Sequence, residues 1–582
     1  MSGGLSTHMA QSGETADAEC YPGFRPEYTE SAYAVEPFRP YGEQDESRLW
    51  FLDFHWPRGL TPLGLLVNQD GYGWGSQLAA ECLPLPGSRG ITQRLIGTHT
   101  YAAAIPVPSE HEHRARMNRL RSGLNRFLDE FPEIWAAREA EIEQWWQRLL
   151  SIDPARLDTA ELADHLAETR RFHRRAFEIH FEVMYPLLAN HLAFRRLCDS
   201  LGVDPALVGV LLQGEHTRVM DTDRALWGLA KAARRAGLAA ARLTVGPGDR
   251  VLAELAAAGG ARARWATAFG DFLWAYGHRA EGTSDVALPS WLEDPTPPLG
   301  RIASFLELPA EHDFDAELDR ARKERDAAAD AVRGSLTGRD QRLFDSALAS
   351  CRAANFPKWQ DDHNVSIDLR IALPLRRASL EIAERAGADR RDDAVFLFWP
   401  ELIAIAEGRS AYGPLRGLVG ERRDFFERWR GRRSSLPKVL GTASDADAQD
   451  PVLAEVFGID RTLLGNIRAA ATQIVTRLSG VPAARGTARG RARVLTDAEG
   501  LHRLRPGDVL VCESTSPNWT PAFAVIAACV CDAGGILSHA AIVGREYGVP
   551  TVTAVGSATH CIRDGDEVEV DGTSGVVRVL KR

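Results

Sequence analysis

The chain has 582 residues, enough for roughly three to four domains. Its 45% hydrophobic and 25% charged content is that of a folded globular protein and excludes wholesale disorder. Lys and Arg number 69 against 79 Asp and Glu, a formal charge of −10, which argues against a general affinity for nucleic acid or an anionic membrane and favours small-molecule or protein partners.

Residues 1–25, rich in Gly, Ser, Thr and Glu, read as a disordered tail. From 26 to about 110 the chain reads as irregular, with RLWFLDFHWPRGLTPLGLL as its main feature. A helical period begins near 112. Leu124, Phe127, Leu128 and Phe131 follow i, i+3, i+4, i+7 spacing, Pro132 opens a further helix, and Asp158 with Glu161 forms a capping box before a long one. More helices are predicted at about 222–237, 249–280, 313–355 and 358–387, and VFLFW at 395–399 reads as a short strand before a helix opened by Pro400. Residues 26–432 are thus expected to form one mainly helical acceptor domain. Residues 433–477 read as a linker with a helix, polar and turn-rich at first. Then RARVL, DVLVC, AACVCDA, TVTAV, EVEVDG and GVVRVL read as strands with one helix near 538–547, a compact α/β domain at 478–582.

The longest uninterrupted apolar run, Phe523 to Cys531, is too short to cross a bilayer. No basic segment followed by an apolar one marks a secretory signal. Eight scattered cysteines, mostly within apolar segments, suit reduced thiols and a cytoplasmic location. Cys529 and Cys531 point to one face of a strand without a second pair to complete a zinc site, so their expected role is structural and no metal site is expected.

The segment CDAGGILSHAAIVGREYGVPTV carries the chemistry. An apolar strand runs into Gly534 and Gly535, then Ser538, then His539 at the start of a helix. Glycines allow the sharp turn, and a helix N-terminus offers free N–H groups and a positive dipole end to a phosphoryl group. A neutral imidazole is a competent nucleophile near pH 7. The competing reading is a histidine that merely caps or packs.

GGILSHAAIVGREYGVPTV resembles the phosphohistidine signature of the phosphoenolpyruvate-utilising enzymes, among them phosphoenolpyruvate synthase, pyruvate phosphate dikinase and rifampin phosphotransferase. The resemblance covers 478–582 strongly and implies a swivelling phosphohistidine domain of β/β/α type with His539 phosphorylated. Leu537 stands where the dikinases usually have Thr, which resembles the antibiotic phosphotransferase branch and speaks against regulation through that threonine. No ATP-grasp segment is visible, and the sequence stops at Arg582 before any phosphoenolpyruvate-binding barrel. ATP and Mg²⁺ are therefore expected on a separate ATP-grasp subunit, with no cofactor held tightly by this chain. Phenylphosphate synthase is similar in this split arrangement.

Residues of about 45–430 resemble the substrate-binding domain of rifampin phosphotransferase through FHWPRGLTPLG, LLQGEHTRVMDTDRALWGLA, YGHRAEGTSDVALPSWLEDP and KWQDDHNVSIDL. YGHRAEGTSD groups His278, Arg279, Glu281 and Asp285 on a loop, where Arg279 could hold phosphate and His278 could deprotonate a hydroxyl; the alternative is a polar loop whose charges pair with one another. In DDHNVSID, His363 with Asp361, Asp362 and Asp368 nearby is the preferred general base, against a solvated acidic stretch. His173, His180 and His191, seven and eleven residues apart, lie within about 20° on one helix face, either as core residues or as the lining of a substrate pocket.

The expectation is the acceptor and phosphohistidine part of a split dikinase-like phosphotransferase acting on a hydroxyl of a small organic molecule. Two rivals stay open: an ATP-driven dehydratase that phosphorylates the hydroxyl and then eliminates phosphate, and a non-catalytic phosphocarrier or binding module.

Overall fold

In a computed structural model of the chain, the described residues are 20–25, 28, 48–83, 85–310, 312–441, 453–459, 461–470 and 476–581. Most of the expected tail and the middle of the expected linker lie outside them. The chain divides into two compact units: Met1–Ala189 with Gly282–Leu288 and Ser366–Asp447, and Asn190–Glu281 with Pro289–Val365 and Ala448–Arg582. The helical region is shared between the two units. Its middle part clusters with the C-terminal α/β domain.

In the first unit, the stretch read as irregular carries a sheet. Strands β1 (Trp50–Leu52), β2 (Ser88–Ile96), β3 (His99–Pro106) and β4 (Val439–Leu440) pair antiparallel in the order β2-β3-β1-β4. Local composition concealed it because β1 is three residues long and one of its partners lies nearly four hundred residues away. Tyr21, inside the span read as tail, is buried and donates its hydroxyl to the Leu60 carbonyl at 2.7 Å. The helix Thr159–Ser200 opens on the predicted capping box: the Asp158 N–H donates to Glu161 at 2.9 Å and the Glu161 N–H to Asp158 at 2.8 Å. Residues 395–399 are not a strand. They finish a 3₁₀ turn (Arg391–Phe396) and open the helix Trp399–Ala406, because Pro400 in the first turn and Glu401, which accepts the Phe398 N–H at 2.9 Å, favour a helix start. A short apolar run fits a strand and a buried turn equally well.

The second unit packs helices onto an α/β sheet. The spans read as single helices are broken: 249–280 becomes Gly248–Ala257 and Gly260–Tyr276 at two glycines with positive φ, and 313–355 becomes Phe314–Ser335 and Gly338–Ala353. Among the described residues, eight strands follow: β5 (Arg477–Ser479), β6 (Val481–Ala484), β7 (Thr487–Leu495), β8 (Val509–Cys512), β9 (Ala528–Cys531), β10 (Thr551–Thr553), β11 (Glu567–Asp571) and β12 (Val576–Lys581), in the order β5-β12-β11-β7-β8-β9-β10-β6. β7 to β10 run parallel. The all-apolar sequences of the central strands β8 and β9 match burial on both faces, which parallel strands require. A single apolar cluster joins Trp227, Phe269 and Phe305 of the helices to Leu510, Phe523, Val543 and Tyr547 of the α/β domain. The N-terminal part is mainly helical and the C-terminal part α/β. Among the described residues, no helix is long and apolar enough to cross a membrane.

Candidate active site

β9 delivers its chain end to the loop 532–538, and the helix His539–Tyr547 returns beneath it to β10. Carboxyl ends of parallel strands are where such sheets expose their sites. Gly534 has φ +100°, and a Cβ there would stand 2.7 Å from Ser538 Cβ, so glycine is required at this bend. Ser538 is the residue before the helix, and its side chain makes no capping bond.

His539 is 8% exposed. Thr515 Oγ1 lies 2.8 Å from its Nδ1 and Thr520 Oγ1 lies 3.1 Å from its Nε2. Thr520 spends its only hydroxyl proton on the Pro517 carbonyl at 2.8 Å, so its oxygen must accept from Nε2–H. The ring is therefore the Nε2–H tautomer, with the Nδ1 lone pair receiving the Thr515 hydroxyl. Burial pushes the imidazole pKa down to about 3, which keeps it neutral and nucleophilic at physiological pH. Neither threonine is visible as a site residue in a linear reading; the sole signal is two hydroxyl residues flanking the Ser-Pro and Thr-Pro steps after β8.

The loop amides expected to hold phosphate are engaged by the chain itself. Gly534 N–H donates to the Phe457 carbonyl at 3.0 Å and Gly535 N–H to the Val456 carbonyl at 3.1 Å. Gly458 packs so close that a Cβ on it would stand 2.5 Å from the Gly534 oxygen.

Buried polar bonds fasten the histidine helix to the unit's helical part. Tyr547 donates to Asp223 at 2.7 Å, and both Glu546 oxygens lie 3.0 Å from the Gly214 N–H. Burial raises the Asp223 carboxyl to about 6, and raises Glu546 to about 7 against the opposing pull of the Gly214 N–H and Arg545. Asp361, buried nearby, is pushed well above the carboxylate range by burial and then by Glu546 and Asp362. Beneath the loop, Cys512 joins Cys529 and Cys531, with all three sulfur atoms within 4.8 Å of one another.

The other sequence-nominated residues are held as follows. His278 is half-buried, edge-on to Trp274 at 5.8 Å. Arg279 donates to the Tyr276 carbonyl at 2.8 Å and to Thr222 at 3.0 Å, and lies over Trp291. Glu281 pairs with Arg301 at 2.9 Å and accepts from the Trp291 indole at 2.5 Å, so it tethers positions twenty residues apart in sequence. This loop does reach the phosphohistidine side, since Asn518 donates to the Ala280 carbonyl at 3.0 Å. Asp285 lies in the other unit, where burial raises its carboxyl to about 6 against the opposing pull of the Ala287 N–H, Arg58 and Arg376. His363 is fully buried and stacked on Trp359 at 4.3 Å, with Nδ1 3.3 Å from the Trp359 carbonyl. Its neighbours Asp361 and Asp362 are buried too, and Asp362 accepts the Arg218 N–H at 3.0 Å and pairs with Lys358, so this stretch is not a solvated acidic surface. Asp368 belongs to the first unit.

His173 is buried with Nδ1 3.2 Å from Asp70, which Arg170 and Arg174 also hold. His180 is half-buried, edge-on to Phe181 at 4.6 Å. His191, in the second unit, is buried and pushed down to about 3 by burial and then by Arg545 and Arg195.

A glycine-bent loop that presents a buried, neutral histidine at a helix start, on a domain seated against helices, is the architecture of a phosphohistidine-type mobile domain. Residues 504–575 match the PEP-utilising enzyme mobile domain, and residues 178–356 match the rifampicin phosphotransferase fourth domain. In these two segments the chain is similar to the PEP-utilising enzymes, on the side of rifampicin phosphotransferase. It is 31% identical over 558 residues to "Chondramide synthase cmdD" of Chondromyces crocatus, covering 92% of this chain and 14% of that one. It is 28% identical to "Uncharacterized phosphotransferase YvkC" of Bacillus subtilis (73% and 51%) and 30% identical to "Rifampicin phosphotransferase" of Streptomyces sviceus (57% and 36%). The chain thus spans from 14% to 51% of the length of these relatives.

Proposed function

We propose that this chain is the acceptor and phosphohistidine part of a dikinase-like phosphotransferase. His539 receives a phosphoryl group from ATP through a separate ATP-grasp subunit, where ATP and its Mg²⁺ are held, and passes it to a hydroxyl of a small organic molecule bound in the helical part. In the second step the N–P bond of phosphohistidine breaks, an O–P bond forms, and the hydroxyl proton leaves to a base. Loops and helices that exclude water would keep the labile N–P bond from hydrolysis.

The observation that carries this reading is the state of His539. It is neutral, oriented by two hydroxyls, and placed at a helix N-terminus where phosphoryl charge is favoured. The names of the phosphotransferase relatives support it.

The test is intact mass of wild type and His539→Ala after incubation with ATP, Mg²⁺ and a candidate ATP-grasp subunit. An acid-labile gain of one phosphoryl group in wild type alone is expected. Equal labelling of the variant, or none in either protein with any donor subunit, would overturn the proposal.

A further inference from the structure

Three cysteine sulfurs meet at the root of the histidine loop. Cys529 and Cys531 project from one face of β9, and the parallel register of β8 sets Cys512 directly opposite Cys531. The Cys531 sulfur lies 3.6 Å from that of Cys512 and 3.6 Å from that of Cys529, and all three stand within 4.8 Å of one another. A linear reading shows only the pair on one strand; sheet pairing brings the third sulfur from nineteen residues away. Sulfurs bound to one thiophilic centre at about 2.3 Å stand roughly 3.5–4.0 Å apart. The trio is therefore close to the spacing of a three-coordinate site before anything binds.

The surroundings decide which centre fits. All three side chains are fully buried, in an apolar cluster with Leu510, Trp519, Phe523, Ala540 and Val543. The groups that act most on each thiol are the other two. Structural zinc takes four ligands, and among the described residues no fourth His, Cys, Asp or Glu donor joins the three sulfurs. Three thiolates would leave one net negative charge with a divalent ion and two with copper(I), and an uncompensated buried charge is costly. A trivalent centre leaves none.

We propose that Cys512, Cys529 and Cys531 form a three-sulfur site for a trivalent thiophilic metalloid, arsenic(III) or antimony(III), bound as a neutral trithiolate. For arsenous acid the step is a condensation. Three S–H and three As–O bonds break, three As–S bonds form, and each thiol proton leaves with a hydroxide as water, with no change of oxidation state. Arsenous acid is small and uncharged, so a brief local opening of the loops admits it. Closing the third sulfur onto the centre draws the ends of β8 and β9 together. Cys512 stands three residues before Thr515 and Cys531 eight before His539, so occupation disturbs the seat of the imidazole and slows its loading. That consequence rests on the phosphohistidine reading above; the binding does not.

The test uses the full chain, reduced with a phosphine so that no added dithiol competes, and sodium arsenite as the probe. Cys198→Ala is the background, because Cys198 and Cys351, packed in one apolar cluster, are a second pair of neighbouring thiols. Expected are one arsenic per chain, seen as a native intact-mass gain of arsenic less three hydrogens, and a shell of three sulfurs in X-ray absorption. Each of Cys512→Ala, Cys529→Ala and Cys531→Ala should weaken binding about a hundredfold, the scale of one lost intramolecular attachment. The X-ray absorption count needs none of these variants and decides the matter even where one fails to fold. Absence of bound arsenic, a two-sulfur shell, or undiminished affinity in Cys512→Ala would overturn the site, as would tighter retention of Zn²⁺ by these sulfurs. His539 is then loaded with phosphoramidate, a small-molecule donor that needs no partner, using His539→Ala to subtract other histidines. Loading is expected to slow about tenfold or more with arsenic bound, as for a displaced reacting group; unchanged loading would overturn the coupling. A protein that does not load even without arsenic would refute the phosphohistidine reading, while the sulfur site stands or falls on its binding data.

Discussion

Thr520 Oγ1 accepts the Nε2–H of His539 at 3.1 Å while its own proton goes to the Pro517 carbonyl. With Thr515 on the opposite nitrogen at 2.8 Å, the imidazole is fixed in one tautomer. Replacing Thr520 with valine leaves Nε2–H without its acceptor and releases the tautomer, and loading of His539 by phosphoramidate is expected to slow about tenfold or more, as for loss of an orienting hydrogen bond. ¹⁵N shifts of the ring, read against wild type, should show mixed tautomers; an unmixed Nε2–H ring loading at the wild-type rate would show that Thr520 only packs.

The bend at Gly534 gives a second expectation. Alanine there takes a left-handed φ of +100° and collides with Ser538 at 2.7 Å. Gly534→Ala should lose about 1–3 kcal/mol of stability, measured by urea unfolding, and should displace Ser538 and slow loading. A variant that unfolds and loads like wild type would mean the loop relaxes without consequence.

Glu546 allows a pH test with a definite sign. Its folded pKa, about 7, lies above the ordinary 4.5, so the folded state holds the proton more tightly than the unfolded chain. The carboxyl's contribution is complete below about pH 4.5 and is lost as pH rises through about 7. Glu546→Gln keeps an acceptor for the Gly214 N–H and removes the titration. The variant should therefore gain stability relative to wild type between pH 5 and 8, by about 1–3 kcal/mol. A difference that is flat with pH, followed by denaturant melts, would refute the assignment. Asp223 works in the same direction, with its pKa raised to about 6. His539 and His191, both depressed to about 3, act on the acid side: each opposes folding as pH falls below the ordinary histidine range.

Arg422 anchors the first unit. It is fully buried, bonds the Pro22 and Phe396 carbonyls at 2.9 and 3.0 Å, and grips Glu401 with two nitrogens at 2.6 and 2.8 Å. Arg422→Leu strands the Glu401 carboxylate and should cost about 3–5 kcal/mol, whereas the double change with Glu401→Leu should recover much of it. A thermal-melt double-mutant cycle reads both; additive losses would contradict a coupled pair.

Features set by contiguous residues were legible in the chain: the capping box at Asp158 and Glu161, the alternation of β11, the apolar runs of β8 and β9, and the glycine–serine–histidine turn. Features made by distant partners were not. Glu281 neighbours Arg279 in sequence but bonds Arg301, because the loop turns its carboxylate inward. Thr515 and Thr520 become ring partners of His539 only when β8 and β9 lie side by side. Asp53 and His55 are two residues apart, as on any strand, and become a pair only because the chain leaves β1 at Asp53 and folds the ring back over the carboxylate.

The carbonyls of Val456 and Phe457 already hold the two amides of the glycine loop. An oxyanion seated on those amides must evict that segment, so anion and segment are competing ligands for one seat. Thermodynamic linkage then works in both directions: whatever weakens the segment's hold tightens anion binding by the same factor, and a bound anion sets the segment loose. The segment Leu453–Phe457 would thereby register whether the loop beside His539 holds a phosphoryl group, without any dedicated sensor.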